Sequence, residues 1–245
     1  MDRRAAVRQE FSRTAEAFTR RTRDRYRGLG VVEFARSRPG ERVLEVGAGS
    51  AGFLKHFTEA GLAVALDLTP AMLELGRREH PWIACVVGDG GQLPFATARF
   101  DLVASALAFH HLPDPLPVLR EMARVSRGRV LVVDQCAAED PDQAATQTRL
   151  ERLRDPTHAV SRPASAYRDL LGAAGVAVLD ERLVEHRARL DRWITPEEFP
   201  AERIRAVLEF VEHEAEGTGM GFRREGGGWT YVRRILMLLG TVAAG

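Results

Sequence analysis

The chain has 245 residues, 45% of them hydrophobic, which is enough for one sizeable core and predicts a single domain over residues 1–245. Its 35 basic and 34 acidic residues leave a formal charge of +1. Neither nucleic acid nor a membrane is predicted as a partner, because no strong overall field would attract them.

Cysteine usage and apolar run length restrict the class further. Cys85 and Cys136 are far apart and lack metal-ligand spacing, so neither a disulfide framework nor a metal site is predicted. The N-terminal segment has no apolar core of signal-peptide length, and no later run approaches the roughly 20 apolar residues of a membrane span. We therefore expect a cytoplasmic protein.

Apolar periodicity predicts alternating helices and strands over the first 135 residues. A leading helix is predicted at residues 7–18, where the apolar residues recur on one face. Further helices are predicted at residues 53–61, from residue 70, and at 114–125, and strands at 43–46, 62–67, 82–89, 100–106 and 129–135. This alternation predicts a doubly wound, mostly parallel α/β sheet, since parallel neighbours need crossover connections.

The remaining chain is predicted to add two long strands and several helical segments. Helices are expected at residues 164–175 and 195–216, and strands at 176–193 and 229–240, with a helix as the alternative for the last. The predicted organisation is a ligand-binding core at 40–135, an N-terminal helical cap at 1–38, and substrate-cap insertions at 137–162 and 196–216.

The segment VLEVGAGSAG, residues 43–52, contains a G-x-G-x-x-G pattern at the end of the first predicted strand. In an open parallel sheet, ligands bind beyond the carboxyl ends of the strands, where the strand order reverses. Gly47 and Gly49 allow a sharp turn and close backbone approach, which suits NAD and S-adenosylmethionine (SAM) equally. Glu45 favours SAM, because a carboxylate repels a diphosphate and attracts a sulfonium and an ammonium.

Two further acids follow the next two predicted strands. Asp67 ends the second strand, twenty residues after Gly47, where a carboxylate can accept hydrogen bonds from both ribose hydroxyls. Asp89 follows the third strand and is placed to accept from an adenine amine, with Gly90 leaving room for the ring. Three acids at three successive strand ends favour a cationic nucleoside over an anionic dinucleotide.

Four segments together carry a family resemblance: residues 43–54, 63–77, 86–115 and 119–134. They resemble the class I SAM-dependent methyltransferases, in particular the small-molecule branch with a methyltransferase type 11 domain, related to the ubiquinone/menaquinone C-methyltransferases. The resemblance implies a seven-stranded, Rossmann-like sheet with an antiparallel last strand and a helical cap. The family's usual third glycine would stand at Ala51, where we expect a slightly altered loop.

The resemblance also implies SAM as cofactor and a role for each matching residue. Glu45 would orient the loop and the methionine amine, and the backbone of Gly47, Ala48 and Gly49 would contact the methionine part. Asp67 would bind the ribose. Leu68 and Met72 would flank the adenine, and Asp89 and Gly90 would contact its edge. Ala106 is a further predicted cofactor-binding position.

Three histidines are candidate catalytic bases, because a histidine with a pKa near 6.5 can accept a proton at neutral pH. His110 and His111 follow the fourth strand, and His158 lies in the 137–162 segment. We favour His158, since acceptor-specific chemistry is expected from the cap. The alternative is that the adjacent pair only anchors the loop after the fourth strand.

Two features of the N-terminal segment have competing interpretations. The aromatic residues Phe11, Phe18 and Tyr26 are interpreted as core, with a ligand lid as the alternative. The arginine-rich stretch RRTRDRYR, residues 20–27, is interpreted as a solvated helix face, with contact to an anionic substrate as the alternative.

The predicted function is methyl transfer from SAM to a small organic acceptor, for example a natural-product or secondary-metabolite intermediate. The acceptor atom is left open, and a monomer or homodimer is expected. One alternative is a SAM-fold protein without methyl transfer, acting as a pericyclic or decarboxylating catalyst or as a partner subunit. A less favoured alternative is an NAD(P)-dependent oxidoreductase, which the glycine pattern alone would suggest.

Overall fold

The computed structural model describes residues 3–196 and 199–242; the predicted boundaries that fall on residues 1–2, 197–198 and 243–245 lie outside them. Its α-helices are α1 Arg3–Thr22, α2 Val31–Phe34, α3 Pro70–Glu79, α4 Leu116–Val125, α5 Pro141–Arg154, α6 Ala164–Ala173 and α7 Ala201–Glu214. Its strands are β1 Arg42–Val46, β2 Leu62–Asp67, β3 Ala84–Val87, β4 Phe100–Ala106, β5 Ser126–Gln135, β6 Val176–Arg189, β7 Arg223–Glu225 and β8 Gly228–Val242.

The strands form one sheet in the order β3-β2-β1-β4-β5-β8-β6. The first five pair in parallel, and β8 runs antiparallel to both β5 and β6. This confirms the predicted doubly wound α/β sheet and its antiparallel last strand. The described residues form eight strands where seven were expected, because the short β7 pairs with the start of β8 beside the main path.

Helices cover both faces of the central strands. Val43 and Leu44 are neighbours in β1, so their side chains point to opposite faces, and both are fully buried. They belong to two separate apolar clusters, one on each side of the sheet. This two-sided burial explains why the central strands are continuous apolar runs in the sequence.

The predicted helix at residues 53–61 is wrong. The structure has turns there and a single 3-10 turn at Leu54–His56. Left-handed backbone persists to Ala51, and the carboxylate of Glu45 accepts the Leu54 N–H at 3.2 Å. Too little chain then remains before β2 begins at residue 62 for a longer helix.

The helical segments outside the core differ in detail from the predicted boundaries. The helix expected at 195–216 begins at Ala201, directly after Pro200. The 137–162 segment contains α5, whose N-terminus is capped by Asp140 accepting the Gln143 N–H at 2.8 Å. None of the helices in residues 3–196 and 199–242 is long and apolar enough to cross a membrane.

We predict that Gly240→Ala destabilises the fold. Gly240 lies in β8 between Val130 of β5 and Val178 of β6. A Cβ at this position would collide with the side chain of Val176 and lie 3.0 Å from the Ala177 carbonyl oxygen. Overpacking of this kind costs about 1–3 kcal/mol of the free energy of unfolding, measurable by chemical denaturation.

Gly172→Ala is the matched control. Gly172 lies in α6, and a Cβ there would meet nothing within 4 Å. Alanine in a helix is favoured over glycine by roughly 0.5–1 kcal/mol, so this variant should be at least as stable as the wild type. Equal stability of the two variants would contradict the placement of β8 between β5 and β6.

Candidate functional site

A cavity of about 480 Å³ opens at the carboxyl ends of β1, β2 and β4. This volume lies within the usual range for small-molecule sites. Its walls come from the loops after these strands and after β3 and from α1. The predicted cofactor-binding residues that line it are Gly47, Ala48, Gly49, Asp67, Leu68, Met72, Asp89, Gly90 and Ala106.

The loop after β1 requires left-handed backbone at three positions. Gly47, Gly49 and Ala51 have φ of 74°, 53° and 60°. A Cβ on Gly47 would lie 2.7 Å from the Cβ of Ala108, so no larger residue fits there. Gly52, the last glycine of the literal G-x-G-x-x-G, does not have positive φ, and a Cβ on it would meet nothing within 4 Å. The backbone therefore follows a pattern that turns at residues 47, 49 and 51, with alanine in the third position.

Asp67 connects this loop to the end of β2. Its carboxylate accepts the Gly49 N–H at 2.7 Å and the Thr69 N–H at 2.8 Å. The side chain is only partly buried and lines the cavity. Burial raises its pKa, although the backbone hydrogen bonds counteract this effect. A carboxylate has about four acceptor sites, so Asp67 can accept further hydrogen bonds from a ligand.

Asp89 lines the same cavity beyond β3 and also contacts α1. One carboxylate oxygen accepts the Gly91 N–H at 2.9 Å, and the other lies 2.8 Å from the guanidinium of Arg4. Arg3 donates to the backbone carbonyls of His111 and Thr157, at 3.2 and 2.6 Å. The start of α1 is thus held across the cavity by both of its first two arginines.

Glu45 is placed beneath the glycine loop rather than in the cavity wall. It is 1% exposed, and its described hydrogen bond is the one from the Leu54 N–H. Burial raises its pKa well above the ordinary value, which the Leu54 N–H opposes and the charge of Asp67 reinforces. The geometry therefore supports a role in shaping the loop, and it does not bring the carboxyl to the cavity surface.

His111 lines the cavity and has a fixed ring orientation. Its Nδ1 lies 3.0 Å from Thr157 Oγ1 and 3.3 Å from the Thr157 carbonyl oxygen. Thr157 Oγ1 donates its own proton to Asp155 at 2.6 Å, so it can only accept from His111. Nδ1 must therefore carry the proton in the neutral ring, which leaves Nε2 as a lone-pair nitrogen. Among the described residues, no group hydrogen-bonds to Nε2.

His110 points away from the large cavity and anchors the loop after β4. Its Nδ1 lies 2.6 Å from Asp134, which also accepts the His110 backbone N–H at 3.1 Å. Burial lowers the pKa of His110 and raises the pKa of Asp134 to about 6. His110 borders only a smaller neighbouring cavity of about 60 Å³.

His158 is 1% exposed and lines neither of these cavities. Its Nδ1 lies 3.3 Å from Gln135 Nε2, and its Nε2 lies 3.0 Å from Ser161 Oγ. Burial and the neighbouring histidines lower its pKa. The geometry does not support the preference for His158 as base, because the ring is buried and both of its nitrogens have polar partners. This burial could not be predicted from the position of His158 in the sequence.

Several cavity residues were not assigned to the site by the sequence analysis. Phe11, Phe18 and Tyr26, interpreted as core, all line the cavity. For Tyr26 the core interpretation is also confirmed, since it is buried in one of the two apolar clusters, and it donates to the carbonyl oxygen of Ala106 at 3.3 Å. Their helical spacing was visible but does not distinguish core from lid. Leu107 also lines it with a φ of 55°, an uncommon conformation for leucine that no sequence pattern indicates.

Comparison with known proteins identifies the domain. Residues 44–133 match the family described as methyltransferase domain. The chain is 28% identical over 194 residues to the uncharacterized methyltransferase YcgJ of Bacillus subtilis (strain 168), covering 76% of this chain and 77% of that protein. The crystal structure of the YcgJ protein aligns with a TM-score of 0.79 and 26% identity, over 88% of this chain and 97% of that chain.

A second relative matches a smaller part of the chain. The demethylmenaquinone methyltransferase of Renibacterium salmoninarum is 38% identical over 113 residues, which is 45% of this chain and 47% of that protein. The chain thus spans less than half of that relative's length. The domain match and the likeness to YcgJ over most of the chain agree with the resemblance to SAM-dependent methyltransferases in the four sequence segments: residues 44–133 form a methyltransferase domain.

Proposed function

We propose that this methyltransferase methylates a small organic acceptor in the cavity at the carboxyl ends of β1, β2 and β4, with His111 as base where the acceptor must lose a proton. The observation that carries this proposal is the position of His111. Its lone-pair nitrogen belongs to a ring that lines the same cavity as the glycine loop and Asp67.

The residues of the cavity fit SAM. At Gly47 and Gly90 a Cβ would lie 2.7 Å from Ala108 and 2.8 Å from Val46, so bare backbone is required on two sides of the cavity. Asp67 and Asp89 place two carboxylates in the wall, which suits a ligand with hydroxyl, amine and cationic groups. A diphosphate would be repelled by the same two groups, which disfavours an NAD(P) site.

When bound, SAM supplies an activated methyl group, so that positioning of the acceptor provides most of the rate. We assign the ribose to Asp67, the adenine edge to Asp89 and Gly90, and the adenine faces to Leu68 and Met72. The backbone of Gly47, Ala48 and Gly49 is assigned to the methionine part, with Ala106 at the floor of the cavity. Glu45 is assigned to holding the loop in place through Leu54.

The Asp155–Thr157–His111 chain holds the base in its proton-accepting form. Burial lowers the pKa of His111 below its ordinary value of 6.5, and the charge of Asp155 partly offsets this. His111 is therefore neutral at neutral pH and can take a proton from a hydroxyl or enol at Nε2. We do not assign this role to His110 or His158, because His110 is hydrogen-bonded to Asp134 and His158 is buried.

The acceptor side is proposed to be formed by α1 and the two insertions. Arg154 and Asp155 of the 137–162 segment and Phe199 and Arg203 of the 196–216 segment border the small cavity beside His111. We propose that the acceptor is a small molecule, such as a natural-product intermediate. The protein is proposed to be a monomer or a homodimer. The relatives named as methyltransferases do not favour the alternative of a SAM-fold protein without methyl transfer.

The direct test is to release and identify small molecules from the purified protein by mass spectrometry. A panel of phenols, enols, amines and carboxylic acids is then incubated with the protein and deuteromethyl SAM. The proposal expects SAM or S-adenosylhomocysteine in the first step and a deuteromethylated product in the second. Recovery of NAD(P) without either nucleoside would overturn it.

We predict that Asp67→Ala weakens SAM binding. Loss of charged hydrogen bonds to the ribose costs about 1.5–3 kcal/mol, which corresponds to a roughly 10- to 150-fold higher Kd in calorimetry. The control is Asp169→Ala, which removes an exposed carboxylate from α6 at equal change in charge. A Kd unchanged in the Asp67 variant would remove this residue from the cofactor site.

We predict that His111 is protonated on Nδ1 and not on Nε2 at neutral pH. Two-dimensional ¹⁵N–¹H spectra of ¹⁵N-histidine-labelled protein report this tautomer without any acceptor, with His111→Gln for assignment. For an acceptor found in the panel, kcat should fall as the pH drops through the lowered pKa of His111, below about 6.5.

The His111→Gln variant should lower kcat by roughly 10²–10⁴-fold and lose this acid limb, while SAM affinity stays near that of the wild type. An Nε2-protonated ring, or an unchanged kcat in this variant, would exclude His111 as the base. His158→Gln is the comparison variant, for which we expect the acid limb to be retained.

A further inference from the structure

A second cavity, of about 250 Å³, adjoins the one assigned to SAM. Arg25 and Leu107 line both, so the two spaces meet at the end of β4. The walls of the second cavity come from the end of α1, the end of β6, the segment after it, and β8. Its apolar lining includes Trp193, Tyr231 and Ile235.

The polar lining of this second cavity is almost entirely cationic. Among the described residues it contains five arginines and one histidine and no carboxylate: Arg21, Arg25, Arg189, Arg192, Arg233 and His186. Arg189 is paired with Asp191 outside the lining, at 2.5 Å. In the described part of the chain, neither Arg25 nor Arg233 forms an ion pair with a carboxylate.

Arg25 lies close to several of the other positive charges. Arg25 is half-buried, and its guanidinium stands over the ring of Phe18, 5.3 Å from the centroid, which holds it beside the cavity. Burial and the positive charges of Arg233, Arg21 and Arg154 lower the pKa of Arg25 to about 9. Two cations that share a cavity wall and form no ion pair with a carboxylate of the described residues, Arg25 and Arg233, disfavour the folded protein, so their retention there points to a ligand that neutralises them.

The position of the cluster relates it to the acceptor. Arg25 and Leu107 border the SAM cavity, where His111 also lies, whereas Arg233 borders only the smaller cavities. A molecule that reaches from His111 past Leu107 would meet an apolar wall at Trp193 and Tyr231 and cations on either side. These features select an acceptor with an apolar body and a charged group at one end.

We propose that the methyl acceptor is an organic anion whose carboxylate or phosphate group binds between Arg25 and Arg233. This assignment rests on the proposed function, since it names the chemical class of the acceptor for the same site. Arginine suits both anions, because its planar fork of N–H donors matches their oxygens in pairs.

The test measures anion binding directly by calorimetry at constant ionic strength, with and without sinefungin as a non-reactive SAM analogue. The probes are pyrophosphate, inorganic phosphate and benzoate, which distinguish a phosphate group from a carboxylate. At least one should bind to the wild type and lose about tenfold or more in affinity in Arg25→Gln and in Arg233→Gln. Arg233→Gln is the more specific variant, because Arg233 does not line the SAM cavity.

Arg168→Gln is the matched control, since Arg168 lies on α6, pairs with Glu181 at 2.9 Å and is exposed. It should bind the probes as the wild type does. Sinefungin binding with no anion binding, or anion binding equal in both arginine variants and the wild type, would overturn this inference alone. Absence of sinefungin binding would instead count against the proposed function, and the titrations without the analogue would still decide whether the arginine cavity binds anions.

Discussion

The parallel strands β1, β2 and β4 all end at one edge of the sheet, and the site depends on this constraint. The chain leaves β1 toward β2 on one side and later returns as β4 on the other, so the connections diverge and leave a crevice between them. Hydrogen bonds connect the loop after β1 to the end of β2. Gly47 and Ala48 donate to the Leu66 carbonyl at 2.8 and 3.0 Å, and Gly49 donates to Asp67. The loop after β1 is therefore fixed by the end of β2.

Charge is distributed unevenly around this crevice. Asp67 and Asp89 line the side formed by β2 and β3, where Arg4 pairs with Asp89, whereas Arg25 approaches from the turn after α1 and has no carboxylate partner among the described residues. The protein's near-zero net charge hides this local separation. In our account the acidic side receives the sulfonium nucleoside and the basic side receives an anionic acceptor. Opposite charges on the two ligands would then orient each toward its own half.

The parts of the site that follow a strand end in the sequence could be predicted. Glycines 47 and 49 and Asp67 sit at fixed offsets from a buried apolar run, so their position follows from the sheet. The helix predicted after this loop is absent, because Ala51 adopts a left-handed backbone conformation and the Leu54 N–H donates to Glu45. The spacing of apolar residues reveals neither feature.

Residues brought together by tertiary packing were beyond sequence reasoning. Arg233 is on β8, more than two hundred residues from Arg25, and only the sheet order places them at one cavity. The choice among the three histidines also depended on packing. His111 and His158 are equally plausible by residue type, and burial and hydrogen bonding separate them, since His158 has partners on both ring nitrogens.

The central claim is that one crevice holds the nucleoside on its acidic side with its reactive end toward His111. A crystal structure with S-adenosylhomocysteine bound tests this most directly. The account predicts that both ribose hydroxyls lie within hydrogen-bonding distance of Asp67, with the sulfur toward Leu107 and His111. A nucleoside bound elsewhere, or one in this crevice with its sulfur turned away from His111 and no contact to Asp67, would contradict the account.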